Sequence, residues 1–210
     1  MAHAFEPIRL ETPPSRQLSE AMSKAFRDDP AWAYLLPDEA RGLRLLPSFF
    51  NILLRYSQRY GEVYTTTDCE GAACWLTPGH TTPLLRRLIR IGIHDTRLGI
   101  DLGWAGFRRY MAMETCTDTL HQRSVTGDHW YLWALGVDPL YQKQGTGGML
   151  MQPVFKRADA NRLPCYLETS NELNIMFYQK HGFTVVREGT VPKSNLHIWA
   201  MVRKPVLLTK

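Results

Sequence analysis

The stretch GVDPLYQKQGTGG, residues 136–148, constrains the fold more than any other part of the chain. A β-prone run ends there, and a helix-like pattern begins directly after three glycines within four residues. Glycines at a strand-to-helix junction let backbone N–H groups approach a ligand without a Cβ in the way, and the helix N-terminus adds partial positive charge. The stretch therefore predicts an α/β fold that binds an anion, such as a diphosphate, at the start of a helix.

Three phosphate-binding patterns compete for these glycines. A P-loop needs Lys-Ser or Lys-Thr after its last glycine, but an apolar pair follows Gly148. The dinucleotide fingerprint would start at Gly145 and would place Leu150 at its third glycine position, so that match is weak. The pattern Gln/Arg-x-x-Gly-x-Gly/Ala is met by Gln142, Gly145 and Gly147, and it needs no metal. Taken alone, this match is also compatible with an ordinary tight β–α turn.

Hydrophobic periodicity predicts the remaining elements. Ser15 is a candidate N-cap for the first helix, and Gly71 a candidate turn residue of a hairpin. Helices are predicted at 15–26, 30–37, 43–60, 149–155 and 171–182, strands at 6–10, 62–67, 72–77, 129–137, 164–170, 183–190 and 195–203, and a glycine-interrupted helix-like region at 82–127. This order predicts a mixed sheet covered by helices.

Composition indicates one cytoplasmic domain over residues 1–210. The chain has 210 residues, 44% of them hydrophobic, which suffices for one buried core. Its 4 cysteines are widely spaced, so no disulfide framework or structural zinc is expected. We also expect no signal peptide and no membrane partner, because no apolar run is long enough.

The net charge of +5 raises the question of a nucleic-acid partner. From Asp128 onward there are 10 lysines and arginines against 6 acidic residues, so the excess lies in the half that contains the glycines. These charges form no basic run and no known nucleic-acid module. A small polyphosphate ligand explains them at least as well, and we expect no nucleic acid to bind.

Downstream motifs give the glycine pattern a context. After the strand ALGVDP and the turn QKQGTG come the strand LETS and a helix with Asn174, Tyr178, Lys180, Gly182 and Phe183 spaced as N-x-x-x-Y-x-K-x-G-F. Residues 130–205 thereby resemble the acetyl-CoA-binding half of the GNAT acetyltransferases, and within them the puromycin N-acetyltransferase group. The earlier AF-x-x-x-P and W-x-TP segments at 25–30 and 75–78 agree more weakly.

The resemblance implies an α/β (α+β) GNAT fold: a mixed central sheet of about six to seven strands, a splay between its two central strands, and helices on both faces. Residues 1–127 would form the acceptor-side half and 128–210 the acetyl-CoA-binding half. Acetyl-CoA would be the co-substrate, with no metal, bound by Leu135, Gly136, Val137, Gln142, Lys143, Gln144, Gly145, Thr146, Gly147, Gly148, Asn174 and Phe177. The backbone of Leu135 and Val137 would pair with the pantetheine arm.

The same resemblance implies the catalytic groups. Tyr178 would be the general acid that protonates the departing thiolate, although tyrosines at such helix positions are more often core residues. Glu168 is the first candidate for the base that deprotonates the amine; it could instead cap the next helix. Asp28 and Asp29 could attract a cationic amine, or be solvated turn residues. The adenosine 3′-phosphate could meet one of several basic residues, namely Lys143, Lys156, Arg157 and Arg162.

The function expected is transfer of an acetyl group to a primary amine of a small molecule, by direct attack in a ternary complex. Two alternatives stay open: a peptide or protein amine acetyltransferase, and an acyl-CoA-binding sensor without turnover. A monomer or homodimer is expected. The identity of the acceptor does not follow from the sequence.

Overall fold

A seven-stranded sheet organises the part of the chain that the computed structural model describes, residues 6–80 and 96–206. Its strands are β1 (Ile8–Arg9), β2 (Gly61–Thr65), β3 (Gly71–Leu76), β4 (Trp130–Val137), β5 (Cys165–Thr169), β6 (Phe183–Thr190) and β7 (His197–Arg203). They lie in the order β1-β2-β3-β4-β5-β7-β6, and only β4 and β5 pair in parallel. The mixed sheet of six to seven strands is confirmed.

Six helices accompany the sheet within the described ranges. They are α1 (Arg16–Ala25), α2 (Pro30–Leu35), α3 (Glu39–Tyr60), α4 (Thr96–Ser124), α5 (Thr146–Ala160) and α6 (Leu173–Lys180). A non-helical residue with φ of 66°, Gly103, breaks α4 into two parts. The prediction of interrupted helix over 82–127 therefore holds for the described part, whereas residues 81–95 lie outside the described ranges.

The starts of the first helices follow from local side-chain caps. The Ser15 hydroxyl accepts the Leu18 N–H at 3.1 Å, as the sequence predicts, and the Asp29 carboxylate accepts the Ala31 N–H at 2.9 Å. Each such cap satisfies a backbone donor that a helix start otherwise leaves without an intrahelical partner.

Helices cover both faces of the sheet, as expected. On one face, Leu150, Met151 and Val154 of α5 pack in a core cluster with Trp75 and Trp130. On the other face, α1, α2 and α3 build a second cluster over β3, and α4 contributes to a third over β5 and β7. The two faces thus have separate helical coverings, with the strands between them.

The centre of the sheet is open. Strands β4 and β5 are in register only where Trp130 faces Cys165 and Tyr131 faces Tyr166. Beyond these pairs, β4 stays with β3 as far as Val137 and β5 stays with β7, so the two parallel strands diverge. We call the resulting opening the central gap. The predicted splay is confirmed.

A bulge in β4 accompanies the divergence. Trp75 of β3 faces Leu132 and Cys74 faces Ala134, so Trp133 is an extra residue on β4. A bulge of this kind bends its strand and increases the local twist. This gives a physical reason why β4 turns away from β5 and still follows β3.

Within the described residues, no helix combines the length and the apolar character that crossing a membrane requires.

Candidate active site

The β4 edge of the central gap carries backbone groups that no strand uses. The Asp138 N–H donates to the Glu70 carbonyl at 2.7 Å, and Gly136 faces Ala72 of β3 two residues earlier. Because antiparallel pairing alternates, the main-chain groups of Gly136 point toward β3, and those of Leu135 and Val137 point into the gap. Gly136 is therefore not positioned to pair with a pantetheine arm, in contrast to its two neighbours.

The turn that follows β4 opens the start of α5. A 3-10 turn, Pro139–Tyr141, is capped by Asp138, and Gly145 then has a left-handed φ of 86°. The first intrahelical bond runs from the Met149 N–H to the Gly145 carbonyl, so helix geometry leaves the N–H groups of residues 145–148 without intrahelical acceptors. We call these four groups the helix mouth.

Three polar side chains brace this turn, and they belong to residues that the sequence analysis predicts to contact the cofactor through their backbone N–H groups. The amide of Gln142 donates to the Val137 carbonyl at 2.9 Å, and the amide of Gln144 donates to the Leu140 carbonyl at 3.4 Å. The hydroxyl of Thr146 donates to the Tyr141 carbonyl at 3.4 Å. These contacts hold the backbone of the turn in shape.

The last two glycines of the stretch serve packing between helices. A Cβ at Gly147 would lie 3.2 Å from the ring of Phe177, and one at Gly148 would lie 2.3 Å from Nε2 of His181. His181 cannot easily yield, because its Nδ1 lies 2.8 Å from the Phe177 carbonyl. The two glycines let α6 approach the start of α5 closely. Phe177 thus contacts the helix mouth, and Asn174 is half-buried in the first turn of α6.

Tyr178 is a buried residue of α6 with 7% of its surface exposed. Its ring packs edge-on against Phe177 and Phe183, at centroid distances of 5.2 and 5.9 Å. Burial, together with the negative charge of Asp29, raises the pKa of Tyr178 above its ordinary value. The phenol therefore keeps its proton throughout the neutral range.

Asp29 approaches the same place from the opposite face of the sheet. Its carboxylate caps α2 and accepts a hydrogen bond of 3.1 Å from Ser170, the residue after β5. Burial raises the pKa of Asp29. Tyr178 belongs to the core cluster that α5 and α6 form on the other face. The charge of Asp29 therefore raises the pKa of Tyr178 across the sheet, at the level where β4 and β5 have separated. Asp28 is exposed, as a solvated turn residue would be.

Glu168 lies in β5 beyond the last pair with β4, and only 8% of its side chain is exposed. Its carboxylate is 3.8 Å from Nδ1 of His121 of α4, and its charge contributes to a raised pKa of Cys116, after burial. Glu168 does not cap α6, whose N-cap residue is Glu172. The carboxylate therefore sits on the α4 side of the sheet, beside the gap.

The sequence did not point to two histidines near Glu168, or to a buried glutamate on the same helix as one of them. Nε2 of His121 lies 2.7 Å from Nε2 of His129, and Glu114, which is also buried, lies two turns before His121 on the same face of α4. Because glycines interrupt the helix-like spacing over 82–127, the sequence does not show which face of that helix meets the sheet. Among the described residues, no group of three acidic, histidine or cysteine side chains could hold a metal ion.

The basic candidates for the adenosine 3′-phosphate lie in different places. Arg157 forms a two-pronged ion pair with Glu62 and lies 4.9 Å above the Trp130 ring. Lys156, Arg157 and Arg162 lie at least ten residues beyond the start of α5, or roughly 15 Å along the helix. Lys143 alone of the four belongs to the turn itself, with a left-handed φ of 61°.

Comparison with known proteins agrees with this geometry. The acetyltransferase (GNAT) family model matches residues 102–183. An uncharacterised N-acetyltransferase of Schizosaccharomyces pombe is 27% identical over 208 residues, which cover 94% of this chain and 82% of the relative.

Solved structures share the fold over almost the whole chain. A structure described as a histone acetyltransferase and related acetyltransferase of Corynebacterium glutamicum is 18% identical, with a TM-score of 0.60 over 98% of this chain and 99% of that chain. An agmatine N-acetyltransferase is 16% identical, with a TM-score of 0.60 over 94% of this chain and 98% of that chain.

The open sheet, the helix mouth and these matches together define an acyltransferase. Residues 102–183 thus match the GNAT acetyltransferase family, whose enzymes use acetyl-CoA.

Proposed function

We propose that the protein transfers the acetyl group of acetyl-CoA to a primary amine of a small molecule, by direct attack of the amine in a ternary complex. The observation that carries the proposal is the central gap, which has Tyr178 on one face of the sheet and Glu168 on the other. The N-terminal half, residues 1–127, forms the acceptor side of the site, and residues 128–210 bind the donor.

Main-chain groups hold the donor in this proposal. Leu135 and Val137 direct their N–H groups into the gap, where they take the place of a β5 neighbour for the pantetheine amides. The helix mouth donates N–H groups to the diphosphate, with support from the helix dipole. Bound acetyl-CoA supplies the acetyl group as a thioester.

The N–H groups at the β4 edge also stabilise the charge that develops on the carbonyl oxygen during the attack. A preorganised donor of this kind is typically worth ~3 kcal/mol. Backbone donors suit the task because their positions are fixed by the pairing of β3 with β4 and by the bulge at Trp133.

Tyr178 acts as the general acid. It retains its proton at neutral pH because burial and Asp29 raise its pKa. Desolvation disfavours the charged form of any acid, so a thiolate in the same gap also gains affinity for a proton, and transfer from a phenol becomes feasible. Glu168 is the base that takes the proton of the acceptor ammonium, since a protonated amine cannot attack.

The helix α4, which covers the acceptor face of the sheet, favours a small acceptor. The chain leaves β3 at Leu76 and returns at Trp130, and between them α4 packs across β6 and β7. A helix in this position limits the space above Glu168. The structural relatives include one described as a histone acetyltransferase and one as an agmatine N-acetyltransferase, so their names leave both protein and small-amine acceptors open. The puromycin-type motifs do not extend far enough into residues 1–127 to carry over that acceptor.

The first prediction concerns Tyr178. We expect Tyr178→Phe to lower kcat by roughly 10²- to 10⁴-fold with little change in acetyl-CoA affinity, because only the proton donor is removed. The measurement is thiol release from acetyl-CoA in a screen of primary amines: aminonucleosides, polyamines, amino acids and aminoglycosides. Wild-type turnover by Tyr178→Phe on an accepted amine would contradict the assignment.

Tyr64→Phe is the matched control. The Tyr64 hydroxyl is also buried, but it donates to the Glu62 carboxylate at 2.9 Å, away from the central gap. Its loss should change stability and leave kcat unaltered. A peptide with a free N-terminus belongs in the same screen, because preferential acetylation of that peptide would favour the polypeptide alternative.

A further inference from the structure

Two histidines connect Glu168 to the loop before β4. Nδ1 of His121 lies 3.8 Å from the Glu168 carboxylate, and Nε2 of His121 lies 2.7 Å from Nε2 of His129. Nδ1 of His129 in turn lies 2.7 Å from the Gly127 carbonyl. These contacts form one continuous series from a buried carboxylate to an exposed loop.

The hydrogen-bonding partners fix the tautomers in this series. A carbonyl oxygen can only accept, so Nδ1 of His129 carries a proton, and Nε2 of a neutral His129 must therefore accept. The His121 Nε2–H is then the donor across 2.7 Å. A neutral His121 presents an unprotonated Nδ1 to Glu168, and that atom is the one place in the ring where a further proton can be added.

Burial disfavours a positive charge on His129, whereas His121 lies 3.8 Å from the Glu168 carboxylate. Burial lowers the pKa of His129, and its hydrogen bond to Gly127 and the charge of Asp128 offset this only in part. The groups that face His121 are neutral or negative at neutral pH. They are His129 from the loop, Tyr131 from β4, and Tyr166 and Glu168 from β5; Cys116 of α4 lies next to Glu168, and the buried Glu114 lies two turns before His121 on α4.

Aromatic rings hold His121 in one orientation. The ring stacks on Tyr166 at a centroid distance of 4.1 Å and an interplanar angle of 24°, and it meets Tyr131 edge-on at 4.7 Å. A positively charged ring over the face of a tyrosine is favourable. About 14% of the His121 side chain is exposed, so a proton held there can pass to water.

We propose, on the basis of the acetyl transfer inferred above, that His121 and His129 are positioning residues for Glu168. His121 takes up the proton that Glu168 removes from the acceptor amine, and His129 fixes the tautomer that allows it to do so. His197 and Glu188 form a similar contact at 3.4 Å on the exposed end of β6 and β7, which is not part of this series.

The proton balance is complete without another reactant. An N–H bond of the acceptor ammonium breaks, its electron pair stays on nitrogen, and the proton bonds to a carboxylate oxygen of Glu168. The O–H bond then breaks as a bond forms to Nδ1 of His121, which gives a carboxylate and an imidazolium. Water finally removes one proton from His121.

The test that does not depend on turnover is long-range ¹H–¹⁵N spectroscopy of the histidine rings in the full chain, across pH 5 to 8. We expect neutral His129 with its proton on Nδ1, and neutral His121 with its proton on Nε2. In Glu168→Gln, protonation of His121 should move to lower pH, because a neighbouring negative charge is gone. A neutral His129 with its proton on Nε2 would overturn the proposal.

Kinetics provide the second test, with the amine that gives the fastest thiol release in the screen. His121→Phe and His129→Phe keep a ring in place, and each should lower kcat about 10²-fold at pH 7, with an unchanged KM for acetyl-CoA. The difference in kcat between each variant and the wild type should shrink as the pH approaches the pKa of the amine, since a neutral amine needs no base. His129→Gln should recover part of the rate, because its amide oxygen can accept from His121.

His197→Phe is the control and should behave as the wild type. If the two histidine variants keep the wild-type pH profile while Tyr178→Phe loses turnover, the proposed enzyme stands and the relay is wrong. If no amine is acetylated at all, the proposed function fails, and the ring tautomers decide separately whether the two histidines are hydrogen-bonded as described.

Discussion

At the scale of the residue, the glycines of 145–148 have different physical roles. Gly145 has the left-handed φ that starts the turn into α5, and Gly148 has an ordinary φ but no room for a side chain. The sequence predicted the strand-to-helix turn at these glycines, because strand, glycines and helix are local. It could not predict the second role, because the ring that occupies the space, His181, comes from the next helix.

The Gly148–His181 contact gives a prediction whose sign depends on the background. In the wild type, Gly148→Ala should lower stability by about 1–3 kcal/mol, because the added Cβ would lie 2.3 Å from Nε2 of His181. In a His181→Ala background the same substitution should be neutral or stabilising, since alanine is the better helix former. Thermal unfolding of the four proteins measures the coupling. An equal change in both backgrounds would rule out the clash.

At the scale of the element, periodicity and capping sufficed to predict most helices and strands. The β2–β3 hairpin and the alternation of strands and helices after Asp128 all occur where the patterns indicate. The sequence predicted a helix interrupted by glycine, but neither which glycine breaks α4 nor which face of α4 meets the sheet, because such interruptions leave the helical phase undefined. This is why the sequence identified Glu168 but neither His121 nor His129.

The end of α5 is tied to the sheet by an ion pair with a predictable pH dependence. Arg203 of β7 donates to both oxygens of Asp159, at 2.7 and 2.8 Å, and holds the pKa of Asp159 below its ordinary value. A lowered pKa means that the folded state binds fewer protons, so the pair stabilises above the ordinary pKa and loses its effect as the pH falls through the folded value.

We therefore expect Asp159→Asn to lower the free energy of unfolding by about 1–3 kcal/mol at pH 7, where a charged hydrogen-bonding partner is lost. The difference from the wild type should be smaller at pH 3, because below the ordinary pKa of about 3.9 the unfolded chain takes up a proton that the folded carboxylate resists. Urea unfolding at both values measures this. Asp118→Asn is the control, since Asp118 accepts from Gln122 within the exposed surface of α4 and should show a small change at either pH. A difference that is the same at pH 7 and pH 3 would contradict the assigned pKa.

At the scale of the whole molecule, function depends on an opening that no single element contains. The central gap arises because β4 stays with β3, β5 stays with β7, and the two strands diverge after two pairs. Tyr178 reaches it from one face, and Asp29 and Glu168 lie on the other. Residue patterns alone predicted a mixed sheet; the opening itself was predicted from the resemblance to the GNAT acetyltransferases. The proposed acceptor side combines α1 to α4 through tertiary contacts, which periodicity does not encode.

The most direct test of the account is a calorimetric titration of the wild-type chain with acetyl-CoA at low and moderate salt. We expect one site that free CoA competes for, and a matching rise in the unfolding temperature, because ligand at a hundredfold excess over Kd adds about 2.7 kcal/mol of stability. Absence of both heat and thermal shift at high micromolar acetyl-CoA would show that the central gap does not bind the donor.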